Sequence, residues 1–295
     1  MKHSFLHRVL WLLIPLLTTF SVSAWGATIT ITKTALGATT YDADGSATID
    51  NVEFSWTDIM ASGDNMQVRA STGELWNSSL VPGKITQVAV TSTGTARSSN
   101  LYWGTSAKAT TNSQSFSGTA TKTSPSGCFG YVYIIRSSNV AYWTQVVITY
   151  TPATITLSKS SITGLDYNLG SGPSASQTFT VSGSNIPANL TITAPTNFEV
   201  SLDGSSWGSS KTISVTLSGS SGGTLSATTV YVRLASGKSA GNYSGNVSIA
   251  MAGCNTISGV NPKTVAVSGT VSAASCTTNP TVSAGSLKGS FKWSH

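Results

Sequence analysis

The stretch SQTFTVSGSNIPANLTITAPTNFEVSLDGSSWGSSK, from Ser176 to Lys211, decides the fold of this chain. Apolar residues recur every second position: Phe179 and Val181, then Leu190 and Ile192, then Phe198, Val200 and Leu202. A period of two places one set of side chains on one face of an extended strand. The intervening positions are mostly Ser, Thr and Asn, which solvate the other face without adding charge. Thr178 to Leu202 therefore predicts three consecutive strands. Asp203-Gly204 reads as a tight turn after them, and Trp207 as a cap on a hydrophobic edge.

The same pattern extends in both directions. Upstream, ATITITK alternates through Ile29 and Ile31, and NVEFSW puts Val52, Phe54 and Trp56 opposite Glu53 and Ser55. QVAVTS, YVYIIRS and WTQVVITY continue it, separated by Gly, Ser, Asn and Thr. Downstream come Ile213, Val215 and Leu217, then Val230, Val232 and Leu234, then Val247, Ile249 and Met251, and finally Val265 and Val267. No stretch sustains a helical period with capping residues. The expected class is all-β, with two β-sandwich modules in tandem, jelly-roll-like and then immunoglobulin-like.

Composition agrees with a packed sheet protein. Charged residues make up 9% of the 295 and hydrophobic residues 39%, in periodic runs rather than polar tracts. The opening MKHSFLHRVLWLLIPLLTTFSVSA has basic Lys2 and Arg8, an apolar run from Val9 to Phe20, and small residues at Val22-Ser23-Ala24. This predicts a signal peptide over residues 1–24, cleaved after Ala24, and a secreted or cell-surface location. No later segment is apolar enough to span a bilayer as a helix. The remaining charges are scattered, with no basic stripe, so nucleic acid is not an expected partner.

The expected organisation is a first sandwich over 25–151 and a second over 152–271, the shift falling at Thr151-Pro152-Ala153. A linker and the start of a truncated further module occupy 272–295, and the chain reads as a fragment of a longer surface protein. In the second module, GSGPSASQTFTVSGSNI, LTITAPTNFEVSLDGSSWGSS, TTVYVRLASGKSAGNYSGNVSI and KTVAVSGTV resemble an immunoglobulin-like module common in secreted multidomain proteins of the Bacteroidetes. The resemblance covers residues 153–271 and implies a non-catalytic spacer or display unit. Tyr243, in AGNYSGNVSI, resembles a tyrosine corner. MAGCNTISGVNP, before the last strand, departs from the pattern as an insertion. In the first module, YDADGSATIDNVEFSW, ITQVAVTS and AYWTQVVITY are more weakly similar to jelly-roll, galactose-binding-like modules.

Chemistry is sparse. His3, His7 and His295 are the only histidines, so the folded portion lacks the base of Ser-His-Asp and Cys-His catalysis and the usual zinc ligands. Cys128, Cys254 and Cys276 allow at most one internal disulfide. Asp42 and Asp44 are spaced as in a calcium loop, but without the further ligands an EF-hand supplies; an acidic turn is expected, and no cofactor. Two of Asp50, Glu53, Asp58, Asp64 and Glu74 would have to share a cleft for glycoside hydrolysis, and no local signature marks such a pair.

Aromatic side chains are the remaining candidates. Trp56, Trp76, Trp103 and Trp143 all fall in the first module, and NLYWGTS and NVAYWTQ set Tyr102 and Tyr142 beside two of them. Trp76, Tyr102, Trp103, Tyr142 and Trp143 form the candidate sugar-stacking set, although adjacent Tyr and Trp on a strand point to opposite faces, so one of each pair belongs to the core. The expected function is a monomeric, non-catalytic protein for display, adhesion or glycan contact, with an extracellular glycan or a surface protein as partner. The alternative is a targeting or spacer fragment of a larger secreted enzyme, a hydrolase or nuclease, with its catalytic domain elsewhere.

Overall fold

The computed structural model describes residues 26–39 and 44–273. The predicted signal peptide, Asp42, Cys276 and most of the predicted linker lie outside the described residues. Twelve strands fall before Ala153. They are β1 (Ala27–Ile31), β2 (Gly45–Ile49), β3 (Val52–Thr57), β4 (Ile59–Ser62), β5 (Asn65–Val68), β6 (Glu74–Asn77), β7 (Gly83–Thr93), β8 (Ser98–Gly104), β9 (Ser113–Ser117), β10 (Ala120–Thr123), β11 (Tyr131–Arg136) and β12 (Ala141–Pro152). One helical turn, α1 (Lys33–Leu36), follows β1. It escapes a search for periodicity because it is too short to show any. Its start is a local cap: the Thr32 hydroxyl accepts the Ala35 N–H, and Gly37 closes the turn at φ 67°.

Pairing among these strands follows one rule. β5 and β12 share one sheet, as do β7 and β10; β6 and β11 share the other, as do β8 and β9. The chain is thus one long hairpin running out through β5–β8 and back through β9–β12. It folds over so that β7 also pairs with β12, and β8 with β11. The result is two sheets, β10-β7-β12-β5-β4 with β1 on β12, and β2-β3-β6-β11-β8-β9. Their facing sides contribute Ile29, Val146 and Ile148 from one sheet and Phe54, Leu75, Leu101 and Ile134 from the other to a single core.

Ten strands follow: β13 (Thr154–Leu157), β14 (Ser161–Ile162), β15 (Tyr167–Asn168), β16 (Gln177–Ser184), β17 (Leu190–Thr193), β18 (Phe198–Ser201), β19 (Ser210–Ile213), β20 (Leu225–Leu234), β21 (Gly241–Met251) and β22 (Lys263–Ser272). They form a sheet β13-β16-β20-β18 and a second, β14-β22-β21-β17-β19 with β15 on β22. No strand of this group pairs with a strand before Ala153. The decisive sequence stretch supplies β16, β17, β18 and β19, and the chain changes sheet between each. Their apolar faces, Phe179, Val181, Leu190, Ile192, Phe198 and Val200, all turn into a second core. The protein is an all-β sandwich fold, as its period of two requires.

Local expectations meet the structure in detail. Asp203 Oδ1 accepts the Ser205 and Ser206 N–H groups at 2.8 and 2.7 Å, with Gly204 at φ 73°, which makes the turn. Tyr243 lies inside β21, and its hydroxyl donates to the Ser239 carbonyl at 2.8 Å, four residues upstream. Trp207 does not cap an apolar edge; the Arg233 guanidinium lies 4.0 Å from its ring and is held there by Glu199.

The insertion-like MAGCNTISGVNP fastens the two halves together. Buried Asn261 accepts the Met251 N–H and donates to the Cys254 and Asn255 carbonyls, fixing the loop. Asn255 then donates to the Asn51 carbonyl and the Ser79 hydroxyl of the first half. Backbone bonds from Leu80 N–H to the Gly253 carbonyl and from Cys128 N–H to the Leu217 carbonyl add to this seam. Leu80 and Tyr131, from the first half of the chain, pack into the second core.

Candidate functional site

Trp103 and Trp143 are not available to a ligand. They are 0% and 1% exposed and sit among the largest side chains of the first core. The strand period explains the correction: Leu101 and Trp103 face inward from β8, and Ala141 and Trp143 inward from β12, so Tyr102 and Tyr142 face outward. These two tyrosines cannot share a platform either. β8 and β12 belong to opposite sheets, so Tyr142 and Tyr102 look out from opposite sides of the sandwich.

Of the five candidates, Trp76 and Tyr102 do share a face, and the residue joining them is one the aromatic-pair reading missed. In the ladder β6-β11-β8, Tyr133 pairs with Trp76 on one side and Tyr102 on the other. The three side chains form a row across the outer face of the sheet, rising from strands about 4.8 Å apart, with Tyr133 in the middle buried between its neighbours. Tyr102 and Tyr133 stack with centroids 5.6 Å apart and planes 25° from parallel. Ser55 continues the row beyond Trp76, and Ser113 beyond Tyr102.

Two charged side chains complete the arrangement. The Lys108 ammonium, from the loop between β8 and β9, lies 4.0 Å from the Trp76 ring centroid and 5.6 Å from that of Tyr133, and it forms an ion pair with Glu74. Tyr133 donates its phenolic hydrogen to Glu74 at 2.6 Å. Burial first, and then this hydrogen bond, raise the Tyr133 phenol above its ordinary range, so it stays a neutral donor. Beside the row, Asn100 accepts from the Ser115 hydroxyl at 2.8 Å. The face combines ring surface with donors and acceptors, and its one cation and one carboxylate are paired with each other. Such a surface suits a hydroxyl-rich, uncharged ligand better than an ion.

Several of the acidic residues are engaged in structural contacts. Glu74 is committed to Lys108 and Tyr133. Asp64 pairs with Lys33 at 3.8 Å, and Glu53 is exposed on the outside of β3. Asp44 accepts the Asp58 N–H at 3.0 Å, which makes it a turn residue. Among the described residues, no group of three or more His, Cys, Asp or Glu comes together to hold a metal ion. Cys128 and Cys254 are both free thiols, and burial pushes each up to about 11.

Lys108 and Tyr133 carry no sequence signal of their own, and Glu74 is marked only as one of five candidate hydrolytic carboxylates. YVYIIRS marks Tyr133 as one face of a strand, but only the register across three strands sets it between Trp76 and Tyr102. No protein-family model matches the chain, and no curated protein matches it.

Proposed function

We propose that this chain is a non-catalytic, exported contact protein whose first sandwich presents Trp76 and Tyr102, set in register through the buried Tyr133, to an extracellular glycan. The observation that carries the reading is the row itself: two half-buried rings, Trp76 and Tyr102, set in register on one outer sheet face by the buried Tyr133 between them, flanked by hydrogen-bonding side chains and neutral in net charge. Sugar rings stack their C–H faces on such rings, and their hydroxyls bond to the flanking amide, carboxylate and hydroxyl groups. The absence of histidine between residues 8 and 294 agrees with a protein that binds rather than cleaves. Export rests on the character of the first 24 residues.

The strand orders support naming both halves. A long hairpin of eight strands, β5 to β12, wrapped into two sheets is the winding of a jelly roll. The order β13-β16-β20-β18 against β22-β21-β17 corresponds to the ABED and GFC sheets of an immunoglobulin-like sandwich, with β19 as an added edge and Tyr243 at the corner.

A second reading, a spacer or targeting region beside an enzyme, is favoured by the hydrogen-bonded seam between the halves, which suits a stiff connector. A glycan array probed with the full secreted chain and its Trp76→Ala variant separates the two. Binding lost on substitution supports the contact reading; a blank array with folded protein supports the spacer.

A further inference from the structure

Beside the aromatic row, one step along β11, a cleft of about 460 Å³ lies between the two halves, lined by Thr105, Ser106 and Ala107, by Tyr131, and by Asn189 and Leu217 among others. Two links make cleft and row continuous. Tyr131 lies two residues from Tyr133 on the same outward face of β11 and pairs with Gly104, the residue at which the loop begins. That loop then contributes Thr105–Ala107 to the cleft wall and Lys108 to Trp76.

The cleft carries polar groups that the protein leaves unused. The Tyr131 hydroxyl has no hydrogen-bond partner among the described residues, yet it is not a sealed, unsatisfied atom. It stands over Gly253, where a Cβ would come within 2.7 Å of it. The Asn189 carbonyl oxygen accepts the Val215 N–H at 3.0 Å, leaving its amide N–H groups without a partner among the described residues. One hydroxyl and one amide lining the same cleft are suited to the hydroxyls of a sugar.

We infer that the cleft between the sandwiches is a second binding subsite, continuous with the aromatic row, that takes the next units of the same uncharged, hydroxyl-rich chain. The inference rests on the glycan reading of the row. It makes the second half a participant in binding, with Asn189 and Tyr131 grasping what the row has stacked.

The test is calorimetric titration of the full secreted chain with cello-, xylo- and manno-oligosaccharides, comparing disaccharides with hexasaccharides. The hexasaccharide of the bound series should bind more tightly. Tyr131→Phe, which removes only a hydroxyl, should weaken it about five-fold and leave the disaccharide unchanged. Ala107→Leu, which narrows the cleft from an exposed loop, should likewise abolish the length dependence, whereas Trp76→Ala should weaken both ligands. Unchanged hexasaccharide affinity in both cleft variants would overturn the subsite while leaving the row intact. Binding insensitive to Trp76→Ala, or absent for every oligosaccharide, would overturn the row and the subsite with it.

Discussion

Tyr102 and Trp103 are neighbours in sequence with opposite fates, and replacing each with alanine measures that difference. Trp103 is 0% exposed and packs in the first core. Its removal loses the transfer energy of an indole and leaves a cavity that rigid sheets close poorly, a cost of about 3–5 kcal/mol. For a chain of this length each kcal/mol is worth about 3 °C in Tm, so Trp103→Ala should lower it by about 10–15 °C. Tyr102 stands on the outer face and loses mainly its stack on Tyr133, about 1 kcal/mol, or about 3 °C. Scanning calorimetry of both variants beside the unaltered protein gives the comparison directly. Equal shifts, or a larger one for Tyr102→Ala, would refute the register that places the row on the surface.

Other expectations follow from single contacts. Arg136 is 1% exposed and donates to the carbonyls of Ser98, Ser138 and Asn139 and to the Ser99 hydroxyl. Arg136→Met strands those acceptors and should cost about 3 kcal/mol in urea unfolding, because each buried unpaired group carries its own desolvation penalty. Lys108→Ala removes a partly exposed ion pair and the cation–π contacts with Trp76 and Tyr133, so stability should change by about 1 kcal/mol or less while acrylamide quenching of tryptophan rises. Adding Trp76→Phe should cancel that rise. The Cys128 thiol is raised from an ordinary 9.0 to about 11, so the folded state holds its proton where the unfolded state releases it. Its contribution is complete below about pH 9 and is lost as pH climbs toward 11, which urea midpoints across that range should show as a decline that Cys128→Ala lessens.

The fold was legible because a sheet protein writes its faces into a local period. Phe179, Val181, Leu190, Ile192, Phe198 and Val200 could be assigned to a core from spacing alone, and each is there. α1 was not legible, since four residues around a Thr32 cap have no period to read. The site was legible only in part. Trp76 and Tyr102 were marked by residue type, but choosing between Tyr102 and Trp103, or between Tyr142 and Trp143, needs the direction of the strand relative to the core. Tyr133 joins Trp76 and Tyr102 only through pairing with strands some 30 and 57 residues earlier in the chain, a relation that no local pattern encodes. Lys108 reaches Trp76 from a loop whose sequence, GTSAKATTNS, gives no hint of its landing point. The loop MAGCNTISGVNP looked like an irregularity and is instead the clasp between the halves, because Asn255 and Asn261 find their partners in three dimensions.

The central claim is that one outer face, that of β6, β11 and β8, makes contact with a glycan. Hydroxyl-radical footprinting of the full chain, with and without the glycan selected on the array, reads that face residue by residue. Protection should fall on Trp76 and Tyr102 and spare Tyr142 and Trp207, which lie on other surfaces. Protection centred on Tyr142, or equal labelling of Trp76 and Tyr102 with and without ligand, would contradict the account.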